Sequence, residues 1–241
     1  MTRRILVAGG SQGIGLAMAR GLAAAGDAVT VLSRRPPSDE PGVPVLDHLA
    51  CDLRDPGAVE RTLLAAHAGR RAFDAVVFSA VAYGSAGRHP FCETTTGEWD
   101  AAMEVNARGL MLVCRGVLPH MLERGTGVIV GISSDIAMAP GPGRIAYAAS
   151  KSAAHAILLG LAEELTGTGV SVAELTPTVQ VDTPGIRTRR PADFVPDGYA
   201  SATCFVSPIL WLLGRAPEQH GATLLVDPDG RVLDHERRYL T

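Results

Sequence analysis

Short apolar runs alternate with longer segments rich in Ala and Leu along the whole chain. Ile5 to Ala8, Ala28 to Leu32, Ala75 to Phe78, Val128 to Ile132, Val170 to Leu175 and Thr223 to Val226 are mostly apolar from end to end, and Val45 to Leu49 is a weaker run of the same kind. Strands without polar alternation are those covered on both faces. Between them, Ile14 to Ala25, a segment opening at Asp55-Pro56, Thr96 to about Glu123, Ala146 to Leu165 and Ala200 to Leu213 read as helices. Asp55 suits an N-cap, Pro56 the first helical position, and Gly26 the stop of the first helix. Gly109, Gly116 and Pro119 are weak points of the long third helix. Strands alternating with helices predict βαβ units. The expected fold is therefore α/β: one domain over residues 1–241, with a doubly wound parallel sheet of about seven strands and helices on both faces. The one irregular stretch, Thr183 to Gly198, is rich in Pro and Arg.

Composition narrows the function classes. Of 241 residues, 46% are hydrophobic, and the net charge is −3. Nothing in that balance points to nucleic acid or an anionic membrane. Cys51, Cys92, Cys114 and Cys204 are far apart and form no C-x-x-C pair, and the seven histidines form no ligand cluster, so neither disulfides nor a metal site is expected. Met1-Thr2-Arg3-Arg4 leads straight into a strand with no signal peptide, and no apolar run is expected to approach the length that spans a bilayer. These features predict a cytoplasmic protein.

The first strand-to-helix turn reads Gly9-Gly10-Ser11-Gln12-Gly13-Ile14-Gly15. Glycines there allow a sharp turn and close backbone approach to a pyrophosphate, which the following helix N-terminus attracts. At the end of the second strand stands Ser33-Arg34-Arg35 in place of an acid. An acid there would favour a free ribose 2′-hydroxyl; guanidinium groups suit a 2′-phosphate, so the expected cofactor is NADP(H). Asp52, after the third strand, is placed to meet the adenine amine.

Tyr147-Ala148-Ala149-Ser150-Lys151 puts a phenol and an ammonium one helical turn apart, on one face. A nearby ammonium favours the phenolate and lowers the tyrosine pKa, making Tyr147 a proton donor or acceptor near neutrality. Ser134, from a neighbouring strand end, is placed to hold a carbonyl oxygen.

In these motifs the chain resembles the short-chain dehydrogenase/reductase family over nearly its full length. The resemblance implies a Rossmann-type fold and a cofactor loop of Gly9, Ser11, Gln12, Gly13, Ile14 and Gly15, with Asp52-Leu53 at the adenine. It implies Ser79 and Ala80 beside the cofactor, and Pro177, Val181 and Thr183 at the nicotinamide. It also implies a tetrad of Asn106, Ser134, Tyr147 and Lys151, with Lys151 on the nicotinamide ribose and Asn106 holding a water. Departures are Phe78-Ser79-Ala80-Val81, where the family has Asn-Asn-Ala-Gly, Thr178 in place of Gly, and Asp227-Pro228-Asp229-Gly230 near the end.

The function expected is an NADP-dependent ketoreductase or alcohol dehydrogenase acting on a bulky small-molecule carbonyl or alcohol. Non-redox chemistry on the same fold and a nucleotide-sensing binding protein are the alternatives. The segment Pro184 to Pro196 is too short and Pro-broken for a long lid helix, which predicts an open, shallow pocket. Arg88, His89, Arg144, Arg187, Arg189 and Arg190 fall in or near loops that border it. Apolar surface on the third and fourth long helices predicts a homo-oligomer, tetramer or dimer.

Overall fold

The computed structural model describes residues 2–38, 46–68, 72–85, 87–234, 236 and 239–240. Its centre is an eight-stranded sheet of β1 (Arg4–Ala8), β2 (Ala28–Ser33), β3 (Asp47–Ala50), β4 (Ala75–Phe78), β5 (Gly127–Ile132), β6 (Val170–Pro177), β9 (Thr223–Val226) and β10 (Val232–Leu233). Across the sheet the strands run in the order β3-β2-β1-β4-β5-β6-β9-β10. All pairings are parallel except β10 with β9. β10 was too short to show a pattern, so the sheet has one strand more than expected. Of the weak third run, Val45 lies outside the described residues.

Strand residues point alternately to two cores. Ile5, Val7, Val77, Val130 and Leu175 face α1 (Gly13–Ala24) and α7 (Val206–Leu213). Leu6, Ala8, Val76, Phe78, Ile129 and Val172 face α2 (Pro56–His67), α4 (Gly109–Arg124) and α5 (Ile145–Leu165). Burial on both faces explains the unbroken apolar runs. Each fully buried aliphatic side chain contributes about 1.5–3 kcal/mol of transfer free energy.

Three expectations change. The helix over Thr96–Glu123 is three pieces: α3 (Thr96–Ala102), a π-helical stretch over Met103–Arg108, and α4. The break comes at none of the predicted weak points. It is centred on Asn106, whose buried amide bonds outside its own helix. Second, Ala200–Leu213 holds strand β8 (Ala200–Ser201), a 3₁₀ turn (Ala202–Phe205) and only then α7. β8 pairs with β7 (Val181–Asp182), and between them lies the four-residue α6 (Pro184–Arg187). Third, α5 is 21 residues long and, by length and composition alone, apolar enough to cross a membrane, contrary to the reading that no run approaches that length. Its buried side, from Ala148 and Ser150 to Leu165, packs on the sheet, as a core helix does.

The thiols are free, with Cys51, Cys114 and Cys204 buried and Cys92 exposed. At the end of α2, His67 is buried with neither ring nitrogen hydrogen-bonded, against Phe73 and His120. Burial, aided by His120, Arg4 and Arg124, pushes its pKa from 6.5 down to about 4. Between those values the unfolded chain binds a proton that the folded protein refuses, so stability falls as pH falls through that window and levels off below it. Urea midpoints measured from about pH 7 down to about pH 4 should show this slope, and His67→Phe should flatten it.

Candidate active site

The sheet order reverses between β1 and β4, with β2 and β3 on one side and β5 and β6 on the other. Ligands of open parallel sheets bind beyond the carboxyl ends of the strands at such a reversal. A cleft of about 440 Å³ opens there. It is lined by Gly9, Ser11, Gln12, Gly13 and Ile14, by Arg34, Arg35, Asp52 and Leu53, by Ser79 and Ala80, and by Tyr147, Lys151 and Thr183. Fourteen of the nineteen residues singled out in the sequence thus share one wall system. Gly15, Asn106, Ser134, Pro177 and Val181 are not among the lining residues.

The loop after β1 is shaped by close approaches. Gly9 has φ +82°, and a Cβ there would stand 2.4 Å from the backbone of Ala80. A Cβ on Gly15 would meet the Gly9 carbonyl. Gly15 therefore acts from beneath, by letting the turn fold on itself, and Ser79-Ala80 packs directly on the turn. The N-cap of α1, Gln12, makes no side-chain cap, so nothing from the side chains competes for the helix N-terminus. These features fit a dinucleotide pyrophosphate.

At the far end, Arg34 and Arg35 are exposed at the cleft. Asp52 does not stand free: Arg54 holds its carboxylate at 2.7 Å and keeps it below the usual range. Arg54 also lines the cleft and was missed in the sequence, where only its nearness to Asp52 hinted at it.

At the reactive end, Asn106 accepts from the Ala82 N–H and donates to the Ala82 carbonyl and to Ser150 Oγ. Both its amide protons are therefore engaged by protein. Ser150 in turn donates to the Tyr147 carbonyl at 2.8 Å. Ser134 lies beside the Tyr147 hydroxyl, whose pKa it acts to lower, and donates to Asp135 Oδ1 at 2.9 Å, an acid that the sequence reading passed over. Val181 is buried and pairs with Ala200 in the small ladder, and Pro177 ends β6 beside Val226.

The electrostatics correct one expectation. Lys151 is buried and donates to the Ile132 carbonyl at 2.8 Å; burial lowers its pKa to about 8. It does not lower that of Tyr147, which is instead raised, first by burial and then by Tyr83. Ser134 and Arg144 pull the other way. Tyr147 is only 7% exposed because the Tyr83 ring lies 5.0 Å from its own. Arg189 covers Tyr83 at 4.1 Å. Tyr83, on the loop after β4, thus covers the tyrosine, and the segment after β7 reaches over Tyr83 through Arg189.

Fold and cleft together are those of a nicotinamide-dependent oxidoreductase, and sequence comparison agrees. The family model described as short chain dehydrogenase matches residues 3–193, and the chain belongs to that family. It is similar to the 2-(R)-hydroxypropyl-CoM dehydrogenase of Xanthobacter autotrophicus, at 30% identity covering 94% of this chain and 98% of the relative. It is also similar to the D-threitol dehydrogenase of Mycolicibacterium smegmatis, at 32% identity covering 72% and 68%. Among solved structures, a variant of the actinorhodin polyketide ketoreductase with NADPH superposes with a TM-score of 0.81, at 27% identity over 95% of this chain and 97% of that one.

Proposed function

We propose that the protein is an NADP(H)-dependent reductase of ketones, or dehydrogenase of the matching secondary alcohols. The observation that carries this reading is that Tyr147 and Lys151 line the same cleft as the glycine turn, with Ser134 beside the tyrosine. Two neighbours in the fold, the polyketide ketoreductase with NADPH and a 3-oxoacyl (acyl-carrier-protein) reductase with NADP, lend support on the cofactor.

The cofactor supplies the hydride. The chain supplies the proton and the positioning. Ser134 hydrogen-bonds the carbonyl oxygen, and Tyr147 gives it a proton. A phenol whose pKa is raised stays protonated at neutral pH, the form needed for reduction. Lys151, with a pKa near the working range, holds the nicotinamide ribose and restores the proton to Tyr147. Asn106 keeps α5 and the loop after β4 in register through Ser150 and Ala82. Arg34 and Arg35 receive the 2′-phosphate as planar donors. Trp99, Met111, Leu122 and Leu159, exposed on α3, α4 and α5, support self-association of the chain through those helices.

Tyr147→Phe should lower kcat for ketone reduction by about 10²–10⁴-fold while NADPH binding, followed by calorimetry, stays within a few-fold. Near-normal turnover would remove Tyr147 from the mechanism. Replacing Arg34 and Arg35 by Ser should raise KM for NADPH far more than KM for NADH, because the two guanidinium groups bind the 2′-phosphate, which NADH does not carry. A wild-type preference for NADH in the same assay would sink the cofactor assignment.

A further inference from the structure

Six residues in the loops around the cleft were singled out in the sequence as cations or a potential cation. The structure sorts them. Arg187 pairs with Asp182 at 2.6 Å, His89 with Glu98 at 3.3 Å, and Arg190 donates to the Tyr199 hydroxyl. Arg88 is exposed. Arg144 and Arg189 remain, and among the described residues neither forms an ion pair.

Both are half-buried, and both stand at the reactive tyrosine. Arg144 lies one helical turn before Tyr147, with its guanidinium carbon 6.0 Å from the Tyr147 ring centre. Arg189 lies over the Tyr83 ring, its guanidinium carbon 4.1 Å from the ring centre, and that ring packs against Tyr147. It is held there by a hydrogen bond from its Nε to the Ser85 carbonyl at 2.9 Å. The Arg144 Nε is buried with no hydrogen-bond partner. The acid nearest the tyrosine, Asp135, is exposed and accepts from Ser134 and the Ile136 N–H.

This arrangement is costly unless something negative joins it. Burial disfavours the charge on Arg189, and Arg144 disfavours it further by repulsion. A buried donor without a partner costs about 1–3 kcal/mol. Aromatic faces offset part of this, since a guanidinium over a ring gains about 0.5–2 kcal/mol. They satisfy no N–H group, however. Two guanidinium groups on neighbouring aromatic rings, Arg144 near Tyr147 and Arg189 on Tyr83, have the donors that an oxyanion needs.

We infer that Arg144 and Arg189 form a binding site for an anionic group on the substrate, so that the ketone reduced at Tyr147 is a compact one carrying a carboxylate, sulfonate or phosphate a few bonds from its carbonyl. This rests on the reductase reading for the carbonyl but on the arginine geometry for the anion. It differs from the bulky substrate expected from the sequence. The short distance from Arg144 to the Tyr147 ring sets the scale. An anion held by that guanidinium leaves room for a short chain before the carbonyl reaches the tyrosine hydroxyl. Fixing the remote end of a small molecule supplies the orientation that its apolar surface is too small to provide.

The test uses methyl ketones of matched length ending in a carboxylate, a sulfonate, a phosphate or a neutral methyl ester, each assayed with NADPH. At least one anionic ketone should show kcat/KM about 10- to 100-fold above the neutral ester, as expected for charge-assisted hydrogen bonds. The three anions separate the sources of charge by rank. Arg144→Gln and Arg189→Gln should each raise KM for the anionic ketone and shrink its advantage over the ester, while Arg189→Lys should keep part of it. Equal kcat/KM for ester and anions in the wild type would overturn the inference and leave the reductase reading standing. If no ketone is turned over, calorimetric binding of the same anionic ketones to the NADP-loaded protein decides. Binding that is lost in Arg189→Gln supports the site even though the reductase reading has failed, and no binding overturns it. Circular dichroism and NADP affinity check that each variant folds, and where Arg144→Gln fails that check, Arg144→Lys takes its place.

Discussion

The amide of Asn106 accepts from one backbone N–H and donates to one carbonyl and one hydroxyl, at 2.7, 2.7 and 2.8 Å, with 1% of the residue exposed. Its partners, Ala82 and Ser150, lie on the loop after β4 and on α5. Through Ser150 the chain of hydrogen bonds continues to the Tyr147 carbonyl. The tyrosine, the loop that carries Tyr83 and the helix break at Met103–Arg108 are therefore one connected object. A regular helix would bond its own backbone throughout. The wider π turn adds a residue and rotates the side chains that follow, and such turns mark functional sites in many helices. Removing the amide would take the partner from the part-buried N–H and carbonyl of Ala82 and leave Ser150 Oγ only its bond to the Tyr147 carbonyl; a buried polar group left unpaired costs about 1–3 kcal/mol.

Charge in the cleft runs against charge in the chain. The protein carries a formal −3, yet Arg34, Arg35 and Arg54 line one end, and Lys151, with Arg144 nearby, stands at the other. Asp52 offsets Arg54 in that lining, which leaves Arg34, Arg35 and Lys151 as an excess of cations that favours anionic ligands. Burial modulates that excess at the reactive end. It brings Lys151 to about 8 and raises Tyr147, which stays protonated, so the two pKa values move in opposite directions.

Local signals in the sequence carried much of this. The apolar runs located seven strands, because strands covered on both faces cannot hide their composition. Gly9, Gly13 and Gly15 announced a turn that no other residues could make, and Tyr147 with Lys151 announced a helix face. What the sequence did not show depends on partners far along the chain. The π turn at Asn106 needs Ser150, 44 residues away, and the pairing of Val181 with Ala200 needs a strand of two residues. Arg189 looked like one of several solvated arginines until Ser85 and Tyr83 placed it. The tyrosine pKa was misread because spacing gives which groups share a face, not which way an ammonium turns; Lys151 turns to the Ile132 carbonyl.

The two-residue ladder of β7 and β8 joins Val181 to Ala200 and Asp182 to Ser201. Beyond Thr183, which lines the cleft, the stretch up to Tyr199 leaves and re-enters the fold at neighbouring points. Loop closure costs grow slowly with length, about 0.6 kcal/mol for each doubling. A segment tied off in this way is an exchangeable cassette. Longer or shorter stretches can replace it without disturbing the sheet, so the choice of substrate can evolve independently of the machinery that moves hydride and proton.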